Sequence, residues 1–266
     1  MINNAFGIST GMLAVLALGL GTTLSSSAAS APSSQRDSST WHQEQVLIAG
    51  QLEFKVNGVR PSRARVSGIS RGGACSINGM PITMTALLPK SSADALHGQM
   101  DVESTVASHP TFFVYIPSSP AKMAELTLSD ETDSPIYQSN MALPDQPGVV
   151  GFSVPSSAPA LQVGGIYHWS VALRCDPSDR SGDLIVDGWV QRVDVNPNLA
   201  AQLEQASPRD RPTLYAQDGI WQDTLSTLAE LRLANPQDRD LQTDWISLLN
   251  SVDLGGIAQA PLLTIR

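Results

Sequence analysis

Cysteine is scarce, with only Cys75 and Cys175 in 266 residues. Two thiols so far apart have no metal-ligand spacing. Histidine is also sparse. His42, His97, His109 and His168 stand alone, with no H-x-x-H or H-x-x-x-H spacing to set two ligands on one helix face. Charged residues make up 15% of the chain, below the roughly 25% usual in soluble domains. Hydrophobic residues at 42% nevertheless supply a core, which excludes wholesale disorder. The net charge of −9 argues against nonspecific nucleic-acid binding as the main role. No cofactor or metal is expected, and no nucleic-acid partner. After the N-terminal region no apolar run reaches the ~18–20 residues of a membrane-spanning helix, so none is expected once a leader has been cleaved.

The first twelve residues, Met1 to Met12, contain no Lys or Arg. The adjoining segment is nonetheless leader-like. Met12 to Leu20 is a short apolar run, and Ser25 to Ala31 is a stretch of small residues containing Ser27-Ala28-Ala29, which suits a signal peptidase. Residues 1–29 are therefore expected to be a cleaved signal peptide, placing the protein in the periplasm or outside the cell. A buried N-terminal helix and an uncleaved anchor are the alternatives. Residues 30–45, small and polar, are expected to be a disordered lead. In an oxidising compartment the isolated cysteine pair reads most simply as a disulfide, two unrelated buried thiols being the other reading.

From Val46 the chain carries short β-like runs separated by turn residues. Thr111 to Ile116 lies between Pro110 and Pro117, and Gly148 to Val154 between Pro147 and Pro155. Ile166 to Leu173 and Asp183 to Val193 complete the series. Such spacing without helical periodicity predicts a mainly β fold, an antiparallel β-sandwich of immunoglobulin or fibronectin type III kind over 46–195. Leu161, Gly164 and Tyr167 match a tyrosine corner, in which the hydroxyl bonds back to the preceding backbone. Tyr167, Trp169 and Val171 would share one sheet face, with His168 turned to water.

After Val193 the period changes. Trp221, Leu225, Leu228 and Leu231 recur at 3.6-residue spacing, and Asn235-Pro236 stops the helix. A second helix is predicted from Asp240 to Leu249, with Leu241, Trp245, Leu248 and Leu249 inward. Gly219, Trp221, Leu225, Leu228 and Pro236 fall at tetratricopeptide offsets, but one unit is too few for an array. Residues 196–254 are thus expected to be a short helical module, with 255–266 a tail. Its face of Trp221, Leu225, Leu228 and Trp245 must either dock on the sandwich or receive a partner.

Candidate chemistry is thin. Gly68-Ile69-Ser70-Arg71-Gly72 fits G-x-S-x-G, but no helix signal succeeds it as a nucleophile elbow requires. A Gly-rich turn delivering Cys75 to its partner is the stronger reading, and no catalytic residue is assigned. Asp176, Asp179, Asp183 and Asp187 lack the order of a calcium loop and read as a solvated turn. From Phe54 to Ala93 there is no acidic residue, against six basic ones. Arg60, Arg63, Arg65 and Arg71 could form a patch for an anion or an acidic partner, or could pair internally.

Several motifs occur together in order: Arg71-Gly-Gly-Ala-Cys75, Leu87-Leu-Pro89, Pro110-Thr-Phe-Phe-Val-Tyr-Ile-Pro117, and Tyr167-His-Trp169 through Cys175-Asp-Pro177. Val186-Asp-Gly-Trp189-Val-Gln-Arg192, Leu214-Tyr-Ala216, Gly219-Ile-Trp221-Gln-Asp223 and Leu228-Ala-Glu-Leu-Arg232 complete the set. Over roughly Pro61 to Leu249 the chain resembles the cyanobacterial family filed as domain of unknown function 928. The resemblance implies a cyanobacterial envelope or extracellular protein, pairs the two cysteine-bearing motifs, and carries no catalytic or ligand residues. The expected function is non-enzymatic binding or scaffolding in the envelope, directed at a protein or glycan. An enzyme or processing factor of unfamiliar mechanism and an accessory protein to a membrane sensor are the alternatives.

Overall fold

The computed structural model describes residues 52–54, 65–66, 75–89 and 102–264, all within one compact unit, residues 45–266. The expected leader, the polar lead, the turn at Ser70, and Arg60, Arg63 and Arg71 lie outside the described residues. So do His42 and His97.

The chain is mainly β. Strands β1 (Ser76–Ile77) and β2 (Met80–Pro81) form a small hairpin. Next come β3 (Thr85–Ala86), β4 (Val102–Thr105), β5 (Thr111–Ile116), β6 (Met123–Asp130) and β7 (Pro135–Ala142). Strands β8 (Gly148–Ser153), β9 (Ile166–Arg174) and β10 (Leu184–Arg192) precede four helices. These are α1 (Pro197–Gln205), α2 (Arg211–Gln217), α3 (Trp221–Ala234) and α4 (Arg239–Ser251). The segment expected as a tail contributes a last strand, β11 (Leu262–Leu263). One sheet has the order β4-β10-β9-β6-β7 and the other β11-β8-β5-β3.

The sheets share one core. Phe112 of β5 stacks on Trp169 of β9 with ring centroids 4.6 Å apart, and both are fully buried. Trp169 lies flat because its cross-strand neighbour is Gly188, where a Cβ would stand 2.9 Å from the indole nitrogen. Strand β5 is buried on both faces, which explains its unbroken apolar run. Phe112 and Val114 face the other sheet, while Phe113 meets the Trp245 ring of α4 edge-on at 6.5 Å. The helices therefore cover the outer face of the smaller sheet.

Two expectations need correction. The sheets are not wholly antiparallel, since β4 runs parallel to β10 and β11 parallel to β8. Parallel neighbours require a long crossover, and here 78 residues separate β4 from β10 and 108 separate β8 from β11. His168 does not simply face water. It is half-buried, its Nε2 lies 2.9 Å from the Asp187 carboxylate, and its ring stacks on Trp189 at 4.7 Å.

Other local readings take definite form. The Tyr167 hydroxyl accepts from the Gln162 N–H at 2.8 Å, with Gly164 between them at φ +84°, a conformation open to glycine at no steric cost. Cys75 and Cys175 are bonded, their Cα atoms 5.3 Å apart, linking the start of β1 to the end of β9. In the acidic turn, Asp176 accepts from Ser178 and Asp179 from Ser181. Arg180 there bridges Asp183 and the buried Glu125, at 3.0 and 2.7 Å. Asp238 N-caps α4 through the N–H groups of Asp240 and Leu241.

Candidate functional site

A groove of about 310 Å³ opens between α3 and the outer face of β5, β8 and β11. Its floor is laid by Phe113, Thr111, Gly151 and Ser153, because Phe113 pairs with Gly151 and Thr111 with Ser153 across β5 and β8. The Thr111 and Ser153 hydroxyls bond to each other at 2.8 Å. Gly151 keeps the floor low, since a Cβ there would come within 3.0 Å of the Phe113 ring and 3.2 Å of Thr111.

One wall comes from α3, where Ser226, Glu230 and Leu233 lie at helical spacing beside Ala229. Ser226 turns its hydroxyl back to the Gln222 carbonyl, which leaves the exposed Glu230 as this wall's main polar group. The other wall is Leu262 and Leu263 of β11, with Met141 of β7 beyond it. β11 seats closely because Gly148 opposes it, where a Cβ would collide with Leu263 and the Pro261 carbonyl. A more polar hollow of about 510 Å³ lies along 142–146 and again touches Leu262 to Thr264. Of the side chains lining the groove itself, Glu230 is the one that ionises. Its surface can hold apolar groups and exclude water from them, and it offers little for proton transfer.

Polar chemistry gathers elsewhere, at the seam between β4 and the first turn of α3. Asp223 Oδ2 accepts from the Thr105 hydroxyl at 2.7 Å and the Val106 N–H at 3.0 Å. Burial pushes the Asp223 carboxyl above the ordinary carboxylate range, while Thr105 and Val106 pull it back. The neighbouring Tyr215 phenol is raised in turn, by burial and by Asp223. The seam is closed over by packing and holds the helices to the sheet.

The residues singled out from the sequence fall into three groups. Cys75 and Cys175 form the brace. Trp221, Leu225, Leu228 and Trp245 are all buried. The Trp221 Nε1–H donates to the Leu87 carbonyl at 2.8 Å, its ring meets Phe54 edge-on at 4.8 Å, and the Arg232 guanidinium sits 5.0 Å over Trp245. Of the four arginines, Arg65 alone is described. Its Nη2–H donates to the Asp253 carbonyl at 2.6 Å, and burial lowers the guanidinium pKa against the opposing effect of Asp253. Arg65 is thus committed to the helical part.

Sequence reasoning missed the groove. The Ser226, Glu230 and Leu233 stripe mixes polar and apolar residues, so it carries no periodic signal. The other wall comes from the last strand, expected as a tail.

Fold and groove together define a disulfide-braced, mainly β protein with a C-terminal helical cover and an apolar cleft beneath it. A family model described as Domain of Unknown Function (DUF928) matches residues 66–262, and the chain belongs to that family. No curated protein and no solved structure matches the chain.

Proposed function

We propose that this protein is a non-catalytic binding or scaffolding component of an exported compartment, holding a protein partner in the groove between α3 and β11. The observation that carries this is the lining itself. Phe113, Met141, Leu233 and Leu262 surround a cleft with a single ionisable side chain, Glu230. Large exposed apolar surfaces mark interaction sites, and Leu233 is 42% exposed. An apolar cleft suits a protein segment better than a glycan, whose hydroxyls would need more polar partners. An accessory role beside a membrane sensor would be one form of this binding.

Export is supported by the leader-like Met12 to Leu20 segment and by the bonded cysteine pair, since disulfides persist in oxidising compartments. An immunoglobulin-type relationship for the two sheets is part of the same reading. Two things support it: the Tyr167 hydroxyl bonding back to Gln162 at the opening of β9, and the order β10-β9-β6-β7 facing β8-β5-β3.

A photoreactive benzoylphenylalanine at Leu233, introduced in the native host, tests the binding role against the same group at the exposed helical position Glu204. A discrete adduct at Leu233 and none at Glu204 is expected. Leu233→Glu should keep the wild-type melting temperature and fail to compete for that adduct. Equal labelling at both positions would refute the groove as a binding site.

A further inference from the structure

We infer that β7 is a self-association edge, through which two copies of this chain join their five-stranded sheets across a two-fold axis. This goes beyond the partner groove, which it meets only at Met141. β7 ends its sheet, and among the described residues no strand pairs with its outer side. It is eight residues long. The other terminal strands differ: β3 and β11 have two residues each, and β4 has four and is bonded to α3 through Thr105 and Asp223.

Monomeric proteins blunt such edges with lysine, inward charge, proline or a bulge. β7 has Pro135 and a register shift only at its start, opposite Leu128 and Ser129. From Tyr137 to Ala142 the pairing with β6 is regular, and Pro135 to Ala142 contains no charged residue. In a chain of net charge −9, two copies can approach here without like-charge repulsion within the strand.

The side-chain order favours a second copy over an unrelated strand. Tyr137, Ser139 and Met141 share a face, because they pair with Leu128, Leu126 and Ala124 of β6. Gln138 and Asn140 lie on the opposite, exposed face, where Gln138 bonds to Glu125 and Asn140 accepts from Arg174 at 3.3 Å. Antiparallel pairing centred on Ser139 sets Ser139 against itself, Tyr137 against Met141, and Gln138 against Asn140. An aromatic ring then meets a thioether, a favourable contact, and the facing amides set no charge against charge. Such an isologous contact closes on itself as a dimer and does not propagate.

The test uses the mature chain with its disulfide intact, which leaves no free cysteine. Sedimentation of the wild type should show a concentration-dependent dimer at or below about 100 μM. The double variant Gln138→Lys, Asn140→Lys sets cations opposite each other and should weaken the dimer at least about tenfold. Ser139→Cys should form a covalent dimer under mild oxidation, and Ser118→Cys, in the exposed loop before β6, should not. A wild type that stays monomeric through about 100 μM, a dimer indifferent to the paired lysines, or equal cross-linking from both cysteine variants would each overturn the inference.

Discussion

Asp223 shows how much one side chain does at the junction of sheet and helices. It lies in the first turn of α3, where a negative charge suits the helix dipole, yet burial raises its pKa. The Thr105 hydroxyl and Val106 N–H both point at one of its oxygens. Asp223→Ala leaves those two donors without an acceptor and should cost about 2–3 kcal/mol in denaturant unfolding. Asp223→Asn keeps a carbonyl oxygen there and should cost less than half as much. Because the folded pKa is raised, the folded chain holds the proton more tightly than the unfolded one. Stability from this group therefore falls as pH rises from the ordinary carboxylate range through the folded pKa. The Asn variant lacks that slope, so its deficit against wild type should narrow as pH climbs. A deficit constant with pH would show that Asp223 is not the titrating group. None of this was legible from sequence, where Asp223 reads as an ordinary acidic residue in a helix start and Thr105 lies 118 positions away.

Among the secondary-structure elements, α3 is the pivotal one because both of its faces are used. Trp221, Leu225 and Leu228 face the core, and Ala229 with Leu233 lines the groove. The first stripe was readable because it is uniformly apolar at 3.6-residue spacing. The second was not, because Ser226 and Glu230 interrupt it. Helix α2 carries no periodic signal for a different reason. At seven residues it makes fewer than two turns, too few to establish a period. Trp221→Ala should destabilise the whole protein by about 3–5 kcal/mol, through cavity formation and loss of the indole's hydrogen bond to Leu87. Denaturant unfolding beside wild type measures it. A near-normal midpoint would mean that the helices are not integral to the fold.

Across the domain, the disulfide and the last strand bind distant parts of the chain. Cys75 and Cys175 close a loop with a sequence separation of 100, for which chain entropy sets a stabilisation of at most about 4–5 kcal/mol. Reduction should lower the melting temperature by several degrees or more, read by calorimetry with and without reductant, and Cys75→Ser with Cys175→Ser should reproduce the shift. An unchanged temperature would make the bond dispensable. β11 closes the architecture by returning the C-terminal segment, after four helices, to the edge of β8.

The features legible in the amino-acid order are local ones. Pro110 and Pro117 bracket β5, the alternation through Tyr167, Trp169 and Val171 sets which side of β9 is buried, and the leucine spacing sets α3 and α4. Each depends on residues within a few positions of one another. Three-dimensional packing was needed to establish that β5 is covered on both faces, that β4 and β11 run parallel to their neighbours, and that Leu233 and Leu263 wall a common groove. A local period records whether a face is buried. It does not record what buries it, because that depends on contacts between segments far apart in the sequence.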